Sequence, residues 1–134
     1  MCSAIIGCWD LRDKTLDYNL LRRLFAQWRE AAPEYYGDYH PLTPHSITTD
    51  SWIAWQFNRP ELGWGILQAY RRQDCVYESA RFNLVGLEAK IIYKVRNLDS
   101  DHADELSGRE LMDYGLLVNI QVRPGSAWTL LSER

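Results

Sequence analysis

Three histidines (His40, His45, His102), three cysteines (Cys2, Cys8, Cys75) and eighteen carboxylates are the residues of this 134-residue chain from which chemistry could be built. A metal site needs imidazole, thiolate or carboxylate groups that converge on one point. His40 and His45 flank prolines in an extended stretch, so their spacing does not aim them together, and no metal or cofactor is expected. The run Asp99-Ser100-Asp101-His102-Ala103-Asp104-Glu105 alternates acids as a calcium loop does. It lacks the central glycine and the twelfth-position glutamate that make such loops specific, and it reads as a solvated acidic loop. Cys8 with His40 or His45 can be drawn as a thiol and its base, but nothing local activates the thiol and the pairing is rejected. No phosphate-binding glycine loop, nucleophile elbow or zinc-helix motif occurs.

The remaining residues of note are aromatic: six tryptophans and eight tyrosines. Such side chains fill cores first and stack on sugars second. Three of the tryptophans fall in the stretch around which the chain is organised, Trp52 to Arg72. Ile53, Trp55 and Phe57 share one side of a first alternating run; Trp64, Ile66, Gln68 and Tyr70 share one side of a second, with Leu67 and Ala69 opposite. Period-two alternation predicts strands with one buried face. The intervening Asn58 to Gly63 holds Pro60, which fixes φ, and Gly63, which can take positive φ, so a long antiparallel hairpin is expected.

Upstream, residues 4 to 9 read as a short strand. A helix follows, capped by Asp17, with Leu20, Leu21, Leu24, Phe25 and Trp28 as one apolar stripe. Pro33 pushes its predecessor out of helical geometry and ends it. Pro33 to Asp50 is an extended connector with room for one short strand. Downstream, strands are expected over Tyr77–Leu84, with Ala80, Phe82 and Leu84 inward, and over Ile91–Val95, Leu116–Val122 and Ala127–Leu131. Turns fall at Gly86-Leu87-Glu88-Ala89 and Arg123-Pro124-Gly125-Ser126. Ser107-Gly108-Arg109-Glu110 fits a capping box that opens a short helical turn, with Gly115 as its stop. The architecture this predicts is mainly β: an antiparallel β-sandwich of Greek-key type with about six strands, preceded by one α-helix, with no βαβ alternation to make a parallel sheet.

Composition narrows the setting. Charged residues make up 25% and hydrophobic ones 46%, an ordinary globular balance for one domain. A net charge of −3 offers no basic footprint for nucleic acid, and no apolar run approaches the roughly 20 residues of a membrane helix. The odd cysteine count, without metal or disulfide spacing, and a start without a basic n-region favour free thiols and a cytoplasmic location.

Several motifs in succession resemble one family. Trp55-Gln56-Phe57, Pro60-Glu61, Gln68-Ala69-Tyr70-Arg71-Arg72, Tyr77-Glu78-Ser79, Leu84-Val85-Gly86-Leu87, Tyr93-Lys94-Val95 and Ser107-Gly108-Arg109-Glu110-Leu111-Met112-Asp113-Tyr114-Gly115-Leu116 are similar to the C-terminal part of α-galactosidase-like glycoside hydrolases, family 36 and relatives. The Ser-Gly-Arg-Glu-Leu-Met stretch is the most specific of these, and the resemblance covers residues 35 to 131. In those enzymes a (β/α)₈ catalytic barrel is followed by an antiparallel β-sandwich. The resemblance therefore implies two parts: residues 1–34, like the end of the barrel with its last helix, and residues 35–134, the C-terminal sandwich. It implies an accessory domain whose partner is a catalytic barrel absent from this chain, with an independent carbohydrate-binding module using exposed aromatics as the alternative. The helix stripe could also join two copies as a homodimer.

The family's two barrel aspartates have no counterpart here, so no catalytic residue is carried over and no substrate-binding residue is named. Asp10 and Asp38, the acids nearest the barrel side, are expected to be structural or exposed. The other carboxylates are expected in turns (Asp13, Asp50, Asp74), in the acidic loop or on helix surfaces (Glu30, Glu110, Asp113), with Glu78 the one acid on a strand.

Overall fold

The computed structural model describes residues 10, 12–100 and 102–134. The strand expected at residues 4 to 9, and with it Cys2 and Cys8, lies outside them. The helix α1 (Tyr18–Ala31) starts where Asp17 was expected to cap it: the carboxylate accepts from the backbone N–H of Asn19 at 3.0 Å and of Leu20 at 2.9 Å. After Ala31 the chain tightens into a 3₁₀ turn, Ala32–Tyr36, whose first positions tolerate Pro33 because those N–H groups have no helical partner.

Eight strands follow: β1 (Asp38–Pro41), β2 (Trp52–Arg59), β3 (Trp64–Arg71), β4 (Ser79–Phe82), β5 (Ile92–Asn97), β6 (Ala103–Ser107), β7 (Leu116–Asn119) and β8 (Gly125–Glu133), with α2 (Gly108–Asp113) between β6 and β7. All pairings are antiparallel. Six strands form one sheet in the order β1-β2-β3-β8-β5-β6, and β4 pairs with β7 in a second, two-stranded sheet. The β2–β3 hairpin is as expected: Gly63 closes its turn at φ 65° in the left-handed region, where an L side chain would be strained.

The hairpin does not have one buried face. β2 and β3 lie inside the sheet, so both faces are covered. On one face Trp52, Ala54, Leu67, Ala69, Val95, Ala127 and Leu131 pack with Phe82, Leu84, Leu116 and Val118 of the β4–β7 layer and with Leu111 of α2. On the other, Phe57, Ile66 and Leu130 pack with Ala31 and Leu98, flanked by Tyr35, Trp55 and Trp128. Register places these sets: Gln68 lies opposite both Trp55 and Trp128, and Leu67 opposite Gln56 and Thr129.

Other expectations need correction. Among the described residues strands number eight rather than about six, because β1 and β6 are short and carry polar outward residues that hide their alternation. The acidic loop stops early: Ala103 to Glu105 belong to β6, paired with β5, and their acids are the solvent side of an edge strand. β7 ends at Asn119 rather than Val122, since β4 offers it only four partners. β8 is longer than expected because it is central, paired by β3 on one side and β5 on the other. Glu78 precedes β4, whereas Asp38, Asp104, Glu105 and Glu133 do lie on strands.

Buried polar side chains tie loops to this frame. The Gln56 amide accepts from the Val85 N–H at 2.8 Å and donates to the Val85 carbonyl at 2.9 Å. The buried Arg71 guanidinium donates to the carbonyls of Cys75, Ile120 and Gln121 at 2.7–3.1 Å. At α2 the capping box is complete: Ser107 Oγ accepts from the Glu110 N–H at 3.2 Å, and the Glu110 carboxylate accepts from the Ser107 N–H at 2.8 Å. Among the described residues no helix is long and apolar enough to cross a membrane.

Candidate functional site: an aromatic cleft beside the helix

The half-covered face of the large sheet presents a row of aromatics positioned by strand alternation. Trp55 on β2 and Tyr70 on β3 lie with ring centroids 5.0 Å apart and planes tilted by 33°. Trp55 Nε1 donates to Gln68 Oε1 at 2.7 Å, and Gln68 Nε2 donates to the Tyr35 hydroxyl at 2.9 Å. Tyr35 in turn stands edge-on to Phe57 at 5.3 Å. A buried glutamine satisfied at both ends of its amide fixes the rings around it, because a lost partner would leave a desolvated donor or acceptor. Burial pushes the Tyr70 phenol up, and a hydrogen bond from the Trp128 side chain offsets part of that rise.

The helix lies on this face by its C-terminal half. Gln27 Nε2 donates to the Leu98 carbonyl at 2.7 Å and to Asp99 Oδ1 at 3.2 Å, and Glu30 pairs with Arg96. Phe25 and Trp28 are half-buried, but Leu20 and Leu24 stay 41% and 45% exposed. Leu21 is half-buried as well, so the expected apolar stripe is closed along one side, Leu21 to Ala31, and open along the other at Leu20 and Leu24. Between helix and sheet sits a cleft of about 280 Å³, lined by Leu24, Gln27, Trp28, Tyr70, Leu98, Asp99, Ser126 and Trp128. The Trp28 indole N–H is buried without a hydrogen-bond partner.

A second buried polar group lies below the helix end. Glu34 is 3% exposed, and its Oε2 has no partner. Desolvation pushes its carboxyl up; the Arg59 charge lowers it, and Glu61 adds to the rise. A carboxyl raised by burial can act as an acid, but one this enclosed cannot reach a substrate.

The residues singled out in the sequence do not converge. His40 lies on β1 opposite Gln56, His45 is exposed in the connector, and His102 pairs with Asp104 at 3.0 Å on the exposed β5–β6 connection. Among the described residues no group of three His, Cys, Asp or Glu side chains could hold a metal ion. Cys75 is a buried free thiol. Asp10 is exposed and paired with Arg12, and Asp38 is exposed on β1. The cleft residues Gln27, Asp99, Ser126 and Trp128 share no motif in the sequence. They come from α1, the β5–β6 connection and β8, and no local spacing announces contacts across more than 70 residues.

No family model matches this chain, and the search of curated proteins returns no match; the likeness lies in the fold. The chain superposes on the galactosidase domain of the α-galactosidase–sucrose kinase AgaSK with a TM-score of 0.71 at 16% identity, over 90% of this chain and 17% of that one. It superposes on the α-galactosidase from Lactobacillus brevis at 0.68, with 16% identity and the same coverage. The GH36 α-galactosidase AgaA from Geobacillus stearothermophilus gives 0.72 at 15% identity, again over 90% and 17%. The fold is thus that of a β-rich domain of α-galactosidase-like glycoside hydrolases. This chain spans only about a sixth of the length of those enzymes.

Proposed function

We propose that this chain is the accessory C-terminal β-domain of an α-galactosidase-like glycoside hydrolase, giving structural support to a catalytic barrel that the chain does not contain. The observation that carries the reading is the fold likeness over 90% of this chain and 17% of theirs. Residues 1–34 then correspond to the end of the barrel and residues 35–134 to the sandwich. The open part of the α1 stripe, Tyr18, Leu20 and Leu24, is the surface on which the barrel would seat. Apolar side chains left exposed in one stripe favour a partner, and without the barrel a second copy of the chain would take its place.

The chain's own carboxylates support a non-catalytic role. Glycoside hydrolysis needs two carboxyls held roughly 5–9 Å apart across the scissile bond, one of them usually raised in pKa. Here Glu34, raised by burial, is enclosed, and the strand acids Asp38, Asp104, Glu105 and Glu133 are exposed.

Two measurements test this. An antibody raised against the chain should detect a natural product several times longer than 134 residues, or a complex with a barrel; a lone, monomeric 134-residue product overturns the reading. The purified chain should not turn over aryl α- or β-galactosides or glucosides. Turnover that disappears on mutating one of its acids would show that a carboxylate pair is at work.

A further inference from the structure

Among the described residues, four strands leave one side without a partner: β1 and β6 at the ends of the large sheet, and β4 and β7 in the small one. Unpaired edges invite a further strand, and proteins blunt them with charge or proline. β1 carries Asp38 and Pro41, β6 carries Asp104 and Glu105, and β4 carries Arg81. β7, Leu116-Leu117-Val118-Asn119, carries neither charge nor proline. We propose that the free edge of β7 takes up an extended basic segment of a partner protein as a third strand of the small sheet, with lysine or arginine at alternate positions.

Two hollows lie along this edge. One, of about 250 Å³, runs against all four β7 residues and reaches His102 and Asp104. The next, of about 470 Å³, runs from Leu116 and Leu117 to Leu106, Glu105 and Glu110. They share Asp104, Leu116 and Leu117, so they follow one another along the strand. Main-chain hydrogen bonds hold an added strand, and hollows for every second side chain select it. Two successive hollows suit side chains at positions i and i+2, which point the same way.

Charge sets the identity of those side chains. Register puts Asp104 opposite Val95 and Leu106 opposite Tyr93, so both stand on the sheet face that packs with Leu116 and Val118. Asp104 is an exposed acid on that face, and it meets His102 through Oδ1 at 3.0 Å, leaving Oδ2 for a cation. Glu105 is already paired by Arg134 at 2.5 Å, Glu110 is held by Ser107 at 2.7–2.8 Å, and the one guanidinium of the lining, Arg81, is tied to the Gly115 carbonyl at 3.1 Å. The stem of a lysine or arginine lies well on apolar surface, here Leu106, Leu116 and Leu117, while its head reaches the carboxylate.

A second copy of the chain is the other occupant an open edge could take. Its uncharged β7 would bring nothing to answer Asp104, and the acids of its β6 would be repelled. The groove lies on the sheet face opposite α1, so this site is independent of the accessory-domain reading; its failure would leave that reading untouched.

The test is a ¹⁵N–¹H titration of the full chain with a capped hexapeptide alternating valine and lysine, with its valine–glutamate counterpart, and with two versions of the first methylated on the backbone nitrogens of either the lysines or the valines. The valine–lysine peptide should shift the amide signals of Leu116 to Asn119 saturably, with a dissociation constant of about 0.1–1 mM, as suits pairing along four residues. At least one methylated version, stripped of the donors that face the edge, should lose binding. Asp104→Asn should leave the fold unchanged and weaken binding roughly three- to fivefold. Leu117 is 52% exposed, and Leu117→Lys, which puts a guarding charge on the edge, should weaken it roughly tenfold. No shift at β7, equal binding of the glutamate peptide, binding by both methylated versions, affinity unaltered in both variants, or β7 signals that move with protein concentration alone would each overturn the proposal.

Discussion

The two faces of the six-stranded sheet are built on different terms. The face under β4 and β7 is closed by apolar side chains that interdigitate, with Leu67, Ala69 and Leu131 fully buried. The face under α1 is held by directional contacts: the Trp55–Gln68–Tyr35 relay, the Gln27 amide on the Leu98 carbonyl and the Tyr35–Phe57 edge contact. The first arrangement fills space; the second leaves a cleft and an open helix stripe. Burial stabilises in proportion to area, whereas hydrogen bonds add little net energy but are costly to break one-sidedly. The closed face should therefore set global stability, and the open face should set which surfaces remain available.

Substitutions can break that contrast, and the largest effect is expected on the closed face. Leu67→Ala removes a side chain with no exposure and should cost about 2–5 kcal/mol in denaturant melts. A loss under about 1 kcal/mol would mean that the closed face does not dominate. On the open face Gln68→Leu keeps the volume but strands the Trp55 N–H and removes the donor to the Tyr35 hydroxyl, at about 1–3 kcal/mol. A neutral result would show that the relay merely accompanies packing. Away from both faces, Ser107→Ala removes the α2 cap and should cost on the order of 1 kcal/mol.

A smaller effect comes from Glu34. Its folded-state pKa is raised by burial, so the folded protein binds the proton more tightly than the unfolded chain. The stabilisation is fully present below the unfolded value of about 4.5 and is lost as pH rises through the folded pKa. Glu34→Gln should therefore stabilise slightly at neutral pH and flatten the dependence in that window; equal slopes in both proteins above pH 4.5 would rule it out. Smallest of all, Leu24→Ser on the open stripe should change stability by no more than about 0.5 kcal/mol. The same change should weaken any self-association seen by sedimentation.

What could be read in the sequence follows the same division. The Asp17 cap, the β2–β3 hairpin with Gly63, the inward Phe82 and Leu84 and the α2 capping box are local patterns, and each appears where its spacing put it. Long-range pairing was hidden. β6 looked like loop because its acids face water at a sheet edge, and β8 looked like one more strand rather than the central one, because register between distant segments leaves no periodic trace. The cleft was illegible for the same reason. Trp128 and Tyr70 read as ordinary core aromatics until β8 set them beside α1, and Asp99 read as part of a charge run.

The central place of β8 has a consequence in time. Residues 38–71 make one half of the large sheet and residues 92–107 the other, and in sequence they share no pairing. Only residues 125–133 join them, with Ser132 meeting Trp64 on one side and Lys94 on the other. A chain emerging from the ribosome must therefore hold two unfinished sheet edges apart until that last segment is free, and edges left unpaired are where chains find the wrong neighbour. Folding of this kind waits on non-local closure and is slow. A chaperone that shields Trp64–Arg71 and Tyr93–Asn97 during synthesis would be guarding the gap into which β8 later inserts.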